Sequence, residues 1–566
     1  MVDPEASLAI VYNGEIYNFI QLREELEKKG VVFKSSSDTE VLLKAYRVWG
    51  EDCLDYLDGM FAFAVYDENR RTLFMARDRT GEKPLYYRHV PGQLHFASEL
   101  KALMADPQME RRIDPDALNS YLAFGYVPGS QCILSGVEKL PPACCAVYRV
   151  DEDRLEVKRY WELPREFSQN ACHEDELADR LEGILRESVR RRLVSDVPVG
   201  IMLSGGIDSS LVTAMAAGVS DNPVRTFTIT FPGHEKYNEG PYARKVAEYF
   251  STDHVEMPAE AATVDLLPEL ARQYDEPLAD SSMVPTFLVT RQIRRHATVA
   301  LGGDGGDELF GGYPGHSWVQ SRPLFLGLLP WFFRRMLLGA ARGLIRPGRM
   351  GRNYILGLLS DTTGRIVQVN KFFDPRDRKN LMVEQLGDLV AGNLDGPESW
   401  KAGIARRYDT PLRMITGMDF ASYLPDDILV KVDRASMLSS LEVRSPFLGR
   451  DVMEFAFREV PDSLRATSME RKILTRRLAS RLLPADLDLD RKQGFSLPLQ
   501  AWFRGQWGKY IGEVLMDGEN DVFRRKKIEQ LLEQQAAGRR HTQRLFALAM
   551  FELWRREYSV SLPGGE

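Results

Sequence analysis

Apolar and polar positions follow two regimes along the chain. In the first third the apolar runs are short and close together. Residues 8–12 read as a strand, Asn13-Gly14-Glu15-Ile16-Tyr17-Asn18 as a turn, and residues 19–29 as a charged amphipathic helix. Ser37-Asp38-Thr39-Glu40 opens another helix, with Asp38 suited to its N-cap and carboxylates to its first turn. Residues 61–66 mix large and small apolar side chains like a buried strand, and residues 72–75 pair with them as a hairpin. The predicted product is an α+β domain of stacked antiparallel sheets with helices outside, over residues 1–160.

Past a polar, weakly periodic linker at residues 161–175, the rhythm changes. A long helix at 174–193 precedes an apolar run at 197–203 and a helix-like run at 210–217. Residues 224–231, 254–256 and 298–301 read as strands, with a helix at 242–250 between the first two. Strands alternating with helices predict an α/β doubly wound parallel sheet, with ligands at the carboxyl ends of its strands. This second domain, 176–566, ends in a helical part whose tail to Trp554 reads as amphipathic. The arginines Arg186, Arg190, Arg191 and Arg192 read as a solvated face.

Bulk properties narrow the function. A chain of 566 residues holds more than one core, and 44% apolar with 27% charged residues is a soluble, globular composition. The net charge of −7 gives no general attraction to nucleic acid or acidic membrane. Five cysteines without a CxxC pair and eight histidines without ligand spacing make a zinc site unexpected, and fit a reducing cytoplasm. No secretory signal opens the sequence. The most apolar stretch, 324–333, is too short to span a bilayer and is broken by Gly327 and Pro330. Packing against the core is its expected role. The alternative, taken with residues 336–345, is an amphipathic basic helix lying on a membrane surface.

Chemistry concentrates in two glycine-rich loops. In Ser204-Gly205-Gly206-Ile207-Asp208-Ser209-Ser210, a strand, a glycine turn and a helix start present backbone N–H groups to a phosphate. The serines add hydroxyl donors. Asp208 beside phosphates implies Mg²⁺ between them. The lysine of the GxxxxGK[ST] loop is absent, so this is not the usual phosphoryl-transfer loop. Gly302-Gly303-Asp304-Gly305-Gly306-Asp307-Glu308 follows a predicted strand, and its glycines and carboxylates suit Mg²⁺ and phosphates better than a core. Tyr274-Asp275-Glu276-Pro277 with Asp280-Ser281-Ser282 is a second acidic loop suited to substrate or metal. Leu203 and Ile229 sit near strand ends, where they either bracket an adenine or pack the core.

The 204–210 loop resembles the pyrophosphate-binding loop of ATP pyrophosphatases. With the second loop, residues 424–437, Glu442-Val443-Arg444-Ser445-Pro446-Phe447-Leu448, Arg471-Lys472-Ile473-Leu474 and Lys492-Gln493-Gly494-Phe495, the chain resembles glutamine-dependent asparagine synthetases. NGEIYN, SDTE, GMFAFAVYD and ARDRTGEKPLYY in the first third resemble the glutaminase domain of N-terminal-nucleophile amidotransferases. The resemblance implies an ATP-binding set of Leu203, Ser204, Gly205, Gly206, Asp208, Ser209, Ser210, Ile229, Gly302 and Gly303. It implies Asp208 and Asp307 on Mg²⁺, and two catalytic residues: Asp304 near the acceptor, and Lys472 stabilising the departing pyrophosphate. Asn13 and Gly14 correspond to oxyanion donors, Glu15 and Asp38 to glutamine ligands. Asp433, Arg434 and Arg444 read as structural or substrate-site ion pairs, the structural role being favoured.

The implied reaction is ATP-dependent amidation of an acceptor carboxylate through an acyl-adenylate. By default it converts aspartate to asparagine, with AMP and pyrophosphate released and nitrogen drawn from glutamine or ammonia. The family's glutaminase nucleophile is an N-terminal cysteine. This sequence starts Met1-Val2-Asp3-Pro4 and its first cysteine is Cys53, so glutamine hydrolysis is not expected of it as given. Two alternatives stand beside this reading. One keeps the chemistry and acts in exopolysaccharide or surface-polymer biosynthesis; the other is a non-catalytic binding or regulatory protein on the same fold. Neither a nucleic-acid partner nor a membrane span is expected, the location is expected to be cytoplasmic, and a homodimer is left open.

Overall fold

A computed structural model describes residues 1–168, 173–230, 238–258, 263–321, 330–345, 349, 351–490, 499–517 and 521–563. Cys172, residues 324–329 of the apolar stretch and Lys492-Gln493-Gly494-Phe495 lie outside them.

The first third forms two antiparallel sheets. The larger runs in the order Val2–Asp3, Leu8–Ile16, Gly59–Asp67, Thr72–Arg77, Cys144–Arg149, Arg154–Arg159. The smaller joins Gln93–Ala97, Tyr86–Val90 and Glu138–Lys139. Helices Phe19–Lys28 and Asp38–Trp49 bury Leu22, Leu26, Val41 and Leu42 against Ile10, Phe63 and Phe74 of the larger sheet. Two sequence expectations fail here. Asn13, Gly14 and Glu15 do not turn; they continue the strand, opposite Ala62, Phe61 and Met60. Gly14 permits this at φ +149°, because a Cβ there would fall 2.0 Å from the Met60 carbonyl oxygen. Nor is Asp38 the N-cap. The Ser37 hydroxyl accepts from the Thr39 N–H at 3.1 Å and caps the helix, leaving the Asp38 carboxylate to other partners.

The second region is built on five parallel strands, ordered Asp253–Pro258, Arg225–Thr230, Val199–Met202, Val299–Leu301, Glu442–Arg444. Both faces are covered. Ile201 and Leu301 join a core with Leu185 of helix Glu174–Arg192 and Val212 of helix Ile207–Val219. Their strand neighbours alternate. Ala300 and Phe227 join the opposite core with Phe287 of helix Met283–Ile293 and Ala435 of helix Leu429–Leu438.

Three more expectations are corrected. Arg192 is not on a solvated face: it is 1% exposed, stacks 4.3 Å from the centre of the Tyr17 ring, and its Nη1 donates to Ser188 Oγ at 2.6 Å. The last turn of its helix abuts the first third, so the residue there is enclosed from both sides. The tail is amphipathic in helix Gln506–Met516, which buries Trp507, Ile511, Val514 and Leu515 on one face, but its last helix, Thr542–Glu557, is enclosed on most sides. It buries ten residues, and Tyr121 OH, from the first third, donates to Ala547 O at 2.6 Å. Its polar Glu552 survives burial because Arg555 and Arg556 chelate it. Third, the described part of the apolar stretch does not pack into a core. In helix Trp331–Leu344, Phe332, Phe333, Met336, Leu337 and Leu344 are exposed.

Candidate nucleotide and acyl-transfer site

Strand Val199–Met202 ends at Leu203, and the chain turns through Ser204-Gly205-Gly206 into helix Ile207–Val219. Gly205 takes φ +72°, and a Cβ there would lie 2.6 Å from Tyr242 Cβ, so only glycine makes this turn. Serine hydroxyls knit the loop: Ser204 Oγ lies 2.9 Å from Ser209 Oγ, and Ser209 Oγ donates to Gly206 O at 3.2 Å. The first-turn N–H groups and the positive end of the helix dipole face a cleft of about 540 Å³. Leu203, Ile229 and Phe227 form its apolar side, and Gly302, Gly303, Asp304, Asp307 and Lys472 its polar floor. Ser210 is fully buried and does not line the cleft; its side chain lies one position beyond the face that Ser209 presents.

At the floor, one ammonium meets two carboxylates. Lys472 Nζ pairs with Asp208 Oδ2 and, at 2.6 Å, with Asp307 Oδ1. The two aspartates come from different strand ends and Lys472 from the start of helix Ile473–Leu482, where it holds φ +56°. Glycines clear the room for this cluster. A Cβ at Gly306 would come within 2.7 Å of Asp208 Cγ, and one at Gly312 within 1.8 Å of Asp307 Oδ1. Burial alone would lower the Lys472 pKa, but the charges of Asp208 and Asp307 overcome it and hold the pKa above the usual lysine value. Asp304 has its pKa raised by burial and by Asp208, against the pull of Lys431.

Residues to which the sequence motifs gave no individual role complete the cleft. Lys431 pairs with Asp280 at 2.9 Å, and Asp427 and Asp304 help raise its pKa against burial. Its signal was Asp427 four residues earlier, one helical turn away. Glu308, buried and beside Asp307, is pushed up to about 8, and Tyr313 OH donates to it at 2.6 Å. Of the acidic loop around residue 275, only Asp280, Ser281 and Ser282 reach the cleft. Asp275 is taken by Arg434 at 2.8 Å and Glu276 by Lys139 at 3.1 Å.

Carboxylate oxygens suit a hard divalent cation, and Mg²⁺ is commonly held by one or two carboxylates plus substrate phosphates. Asp208 and Asp307 fit that role. No cluster of three or more metal-ligating side chains occurs among the described residues, and a cation shared with a nucleotide needs none.

In the first third, Asn13 Nδ2 donates to Ser98 Oγ at 3.3 Å. Asp38 Oδ2 accepts from Tyr12 OH at 2.8 Å and from Ile16 N–H at 3.1 Å. Glu15 lies 3.6 Å from Arg444 of the parallel sheet's edge strand; burial and the charge of Glu442 push it up to about 7. Cys53, Cys132, Cys144 and Cys145 are all buried, and burial raises their thiols, leaving none suited as a nucleophile. The ion-pair residues 433, 434 and 444 tie the two regions together. Asp433 binds Lys83 at 2.9 Å, Arg434 binds Glu99 at 3.2 Å, and Arg444 reaches Glu15.

Comparison with known proteins agrees with this layout. Residues 180–556 match the asparagine synthase family model and residues 1–161 the glutamine amidotransferase domain. The chain is 32% identical to asparagine synthetase [glutamine-hydrolyzing] 1 of Bacillus subtilis, over 96% of this chain and 85% of that one. It is 33% identical to a putative asparagine synthetase of Mycobacterium tuberculosis, over 97% and 85%. With the amidase chyE of Penicillium rubens it shares 27% identity over 91% and 80%. The chain belongs to the asparagine synthase family, a family of ligase-type enzymes.

Proposed function

We propose that the chain binds ATP with Mg²⁺ in the cleft at the ends of the parallel strands and amidates a carboxylate acceptor, aspartate by default. The observation that carries this reading is the pairing of Lys472 with both Asp208 and Asp307 beneath the 204–210 loop. The loop's N–H groups with Ser204 and Ser209 hold the phosphates, and Leu203 and Ile229 flank the base. Asp208 and Asp307 would hold Mg²⁺, which supplies charge neutralisation between the phosphates and these carboxylates. The acceptor carboxylate attacks the α-phosphorus, giving an acyl-adenylate and pyrophosphate. Lys472, drawn from its carboxylates toward the phosphates, stabilises the charge that grows on the leaving group. Ammonia then attacks the acyl carbon, AMP leaves, and the amide forms. Asp304, with its raised pKa, stands beside Lys431 at the acceptor end.

A second reading keeps the chemistry and changes the acceptor, as the amidase name of one relative suggests. One experiment separates the two. Pyrophosphate release is measured with Mg²⁺-ATP and aspartate, with ammonium or glutamine as the nitrogen source. Asparagine formed with ammonium supports the first reading. ATP turnover that depends on another carboxylate supports the second. Absence of pyrophosphate with every carboxylate tried sinks both.

A further inference from the structure

Helix Trp331–Leu344 presents its apolar side chains outward. Phe332, Met336, Ala340 and Leu344 form one row at four-residue spacing, with Phe333 and Leu337 beside it. Met336 is 62% and Leu344 80% exposed. The opposite row, Arg334, Leu338, Ala341 and Ile345, is half-buried on the side of helix Arg352–Leu359, where Arg334 Nη2 donates to Ser360 O at 2.6 Å. That neighbouring helix adds exposed Tyr354 and Ile355. Water-facing apolar side chains grouped this way mark a contact surface.

The charge around it is one-sided. Arg335 and Arg342, two helical turns apart, and Arg349 are exposed and make no ion pair among the described residues. Between residues 309 and 360 the sequence holds seven arginines and no aspartate or glutamate, in a chain of net charge −7. A second copy would bring the same arginines against these and be repelled. An anionic lipid surface accepts both features, apolar side chains entering the acyl boundary and guanidinium groups meeting phosphates.

We propose that helix Trp331–Leu344 docks the protein on the surface of a membrane rich in anionic phospholipid. The test is co-sedimentation of the full chain with phosphatidylglycerol-containing or pure phosphatidylcholine vesicles, at low and high salt. Binding to the anionic vesicles, weakened by salt, is expected. Arg335→Glu with Arg342→Glu should weaken it roughly tenfold or more, and Phe333→Glu with Met336→Glu should abolish it. Unchanged melting temperature and pyrophosphate release show that the variants are folded. If the double variants do not fold, Leu344→Glu serves at the most exposed position. Equal binding to both vesicle types, binding to neither, or a dimer that Met336→Glu dissociates would overturn the proposal; the last would give the face to a second copy.

Discussion

Asp38 and Asp208 both stand in the first turn of a helix, and their surroundings separate them. Asp38 is spent inside its own region, on the Tyr12 hydroxyl and the Ile16 N–H. Asp208 faces an open cleft and shares one lysine with Asp307, while glycines keep the space around the pair empty of Cβ atoms. A helix N-terminus favours a carboxylate in either place by about 0.3–1 kcal/mol, so the motif alone cannot tell the two uses apart. Room decides it. In the cleft, two carboxylates from separate loops share the Lys472 ammonium beside open space. In the first third, the polar groups close on one another.

The sharpest break in this contrast is Lys472→Ala. It leaves Asp208 and Asp307 without their shared counter-ion, which should cost about 3–5 kcal/mol of stability in the absence of Mg²⁺. Pyrophosphate release should fall roughly 10²–10³-fold. Denaturant midpoints and initial rates read the two effects, and near-normal turnover would remove the lysine from the mechanism.

Gly306→Ala tests clearance alone, since Gly306 has a negative φ and its new Cβ would press on Asp208. It should lower kcat/KM for ATP about tenfold, the cost of moving one ligand by a fraction of an ångström. Gly218→Ala, in the helix that follows the 204–210 loop, meets nothing within 4 Å and should stabilise by about 0.5–1 kcal/mol with activity intact.

A smaller effect separates the regions by pH. Glu308 is held at about 8 in the folded chain against an ordinary value of 4.5, so the folded state binds the extra proton across that window. Its contribution to stability is full below about 4.5 and is lost as pH rises through about 8. Glu308→Gln should therefore flatten the fall of melting temperature across that range; an unchanged slope would mean that the cleft is wetter than its burial indicates. Smallest of all should be Cys53→Ala. With the thiol buried and its pKa raised, ammonium-dependent pyrophosphate release should stay within about twofold, and a large loss would give this cysteine a catalytic role.

Much of the parallel sheet and its two loops was legible because periodicity, glycine placement and carboxylates all lie within a few residues of each other. The alternation at 197–217 fixed a strand, a turn and a helix in sequence, and the observed helix begins only three residues earlier, at Ile207. The individual role of Lys431 was harder to read, since its partner Asp280 reaches it through tertiary packing rather than through a motif. The strand through Gly14 was misread for a related reason. Asn-Gly favours a turn locally, and only the neighbouring strand Gly59–Asp67 supplies the pairing that overrides it.

By itself the sequence determined what depends on local spacing: two fold classes in series, a glycine-hydroxyl loop opening a helix, and an acidic glycine loop after a strand. The tertiary structure alone decided which charges meet. Lys472 lies 264 residues from Asp208, and no periodicity relates them; parallel strands deliver the loops of Asp208 and Asp307 to one edge of the sheet, and helix Ile473–Leu482, packed on helices Glu174–Arg192 and Ile207–Val219, brings Lys472 to them. The same holds for exposure. Arg192 reads as part of a solvated face and is enclosed, whereas residues 324–333 read as core and Phe332 and Phe333 of that stretch are exposed. Burial is set by what packs against a face, and that neighbour is chosen by the whole chain.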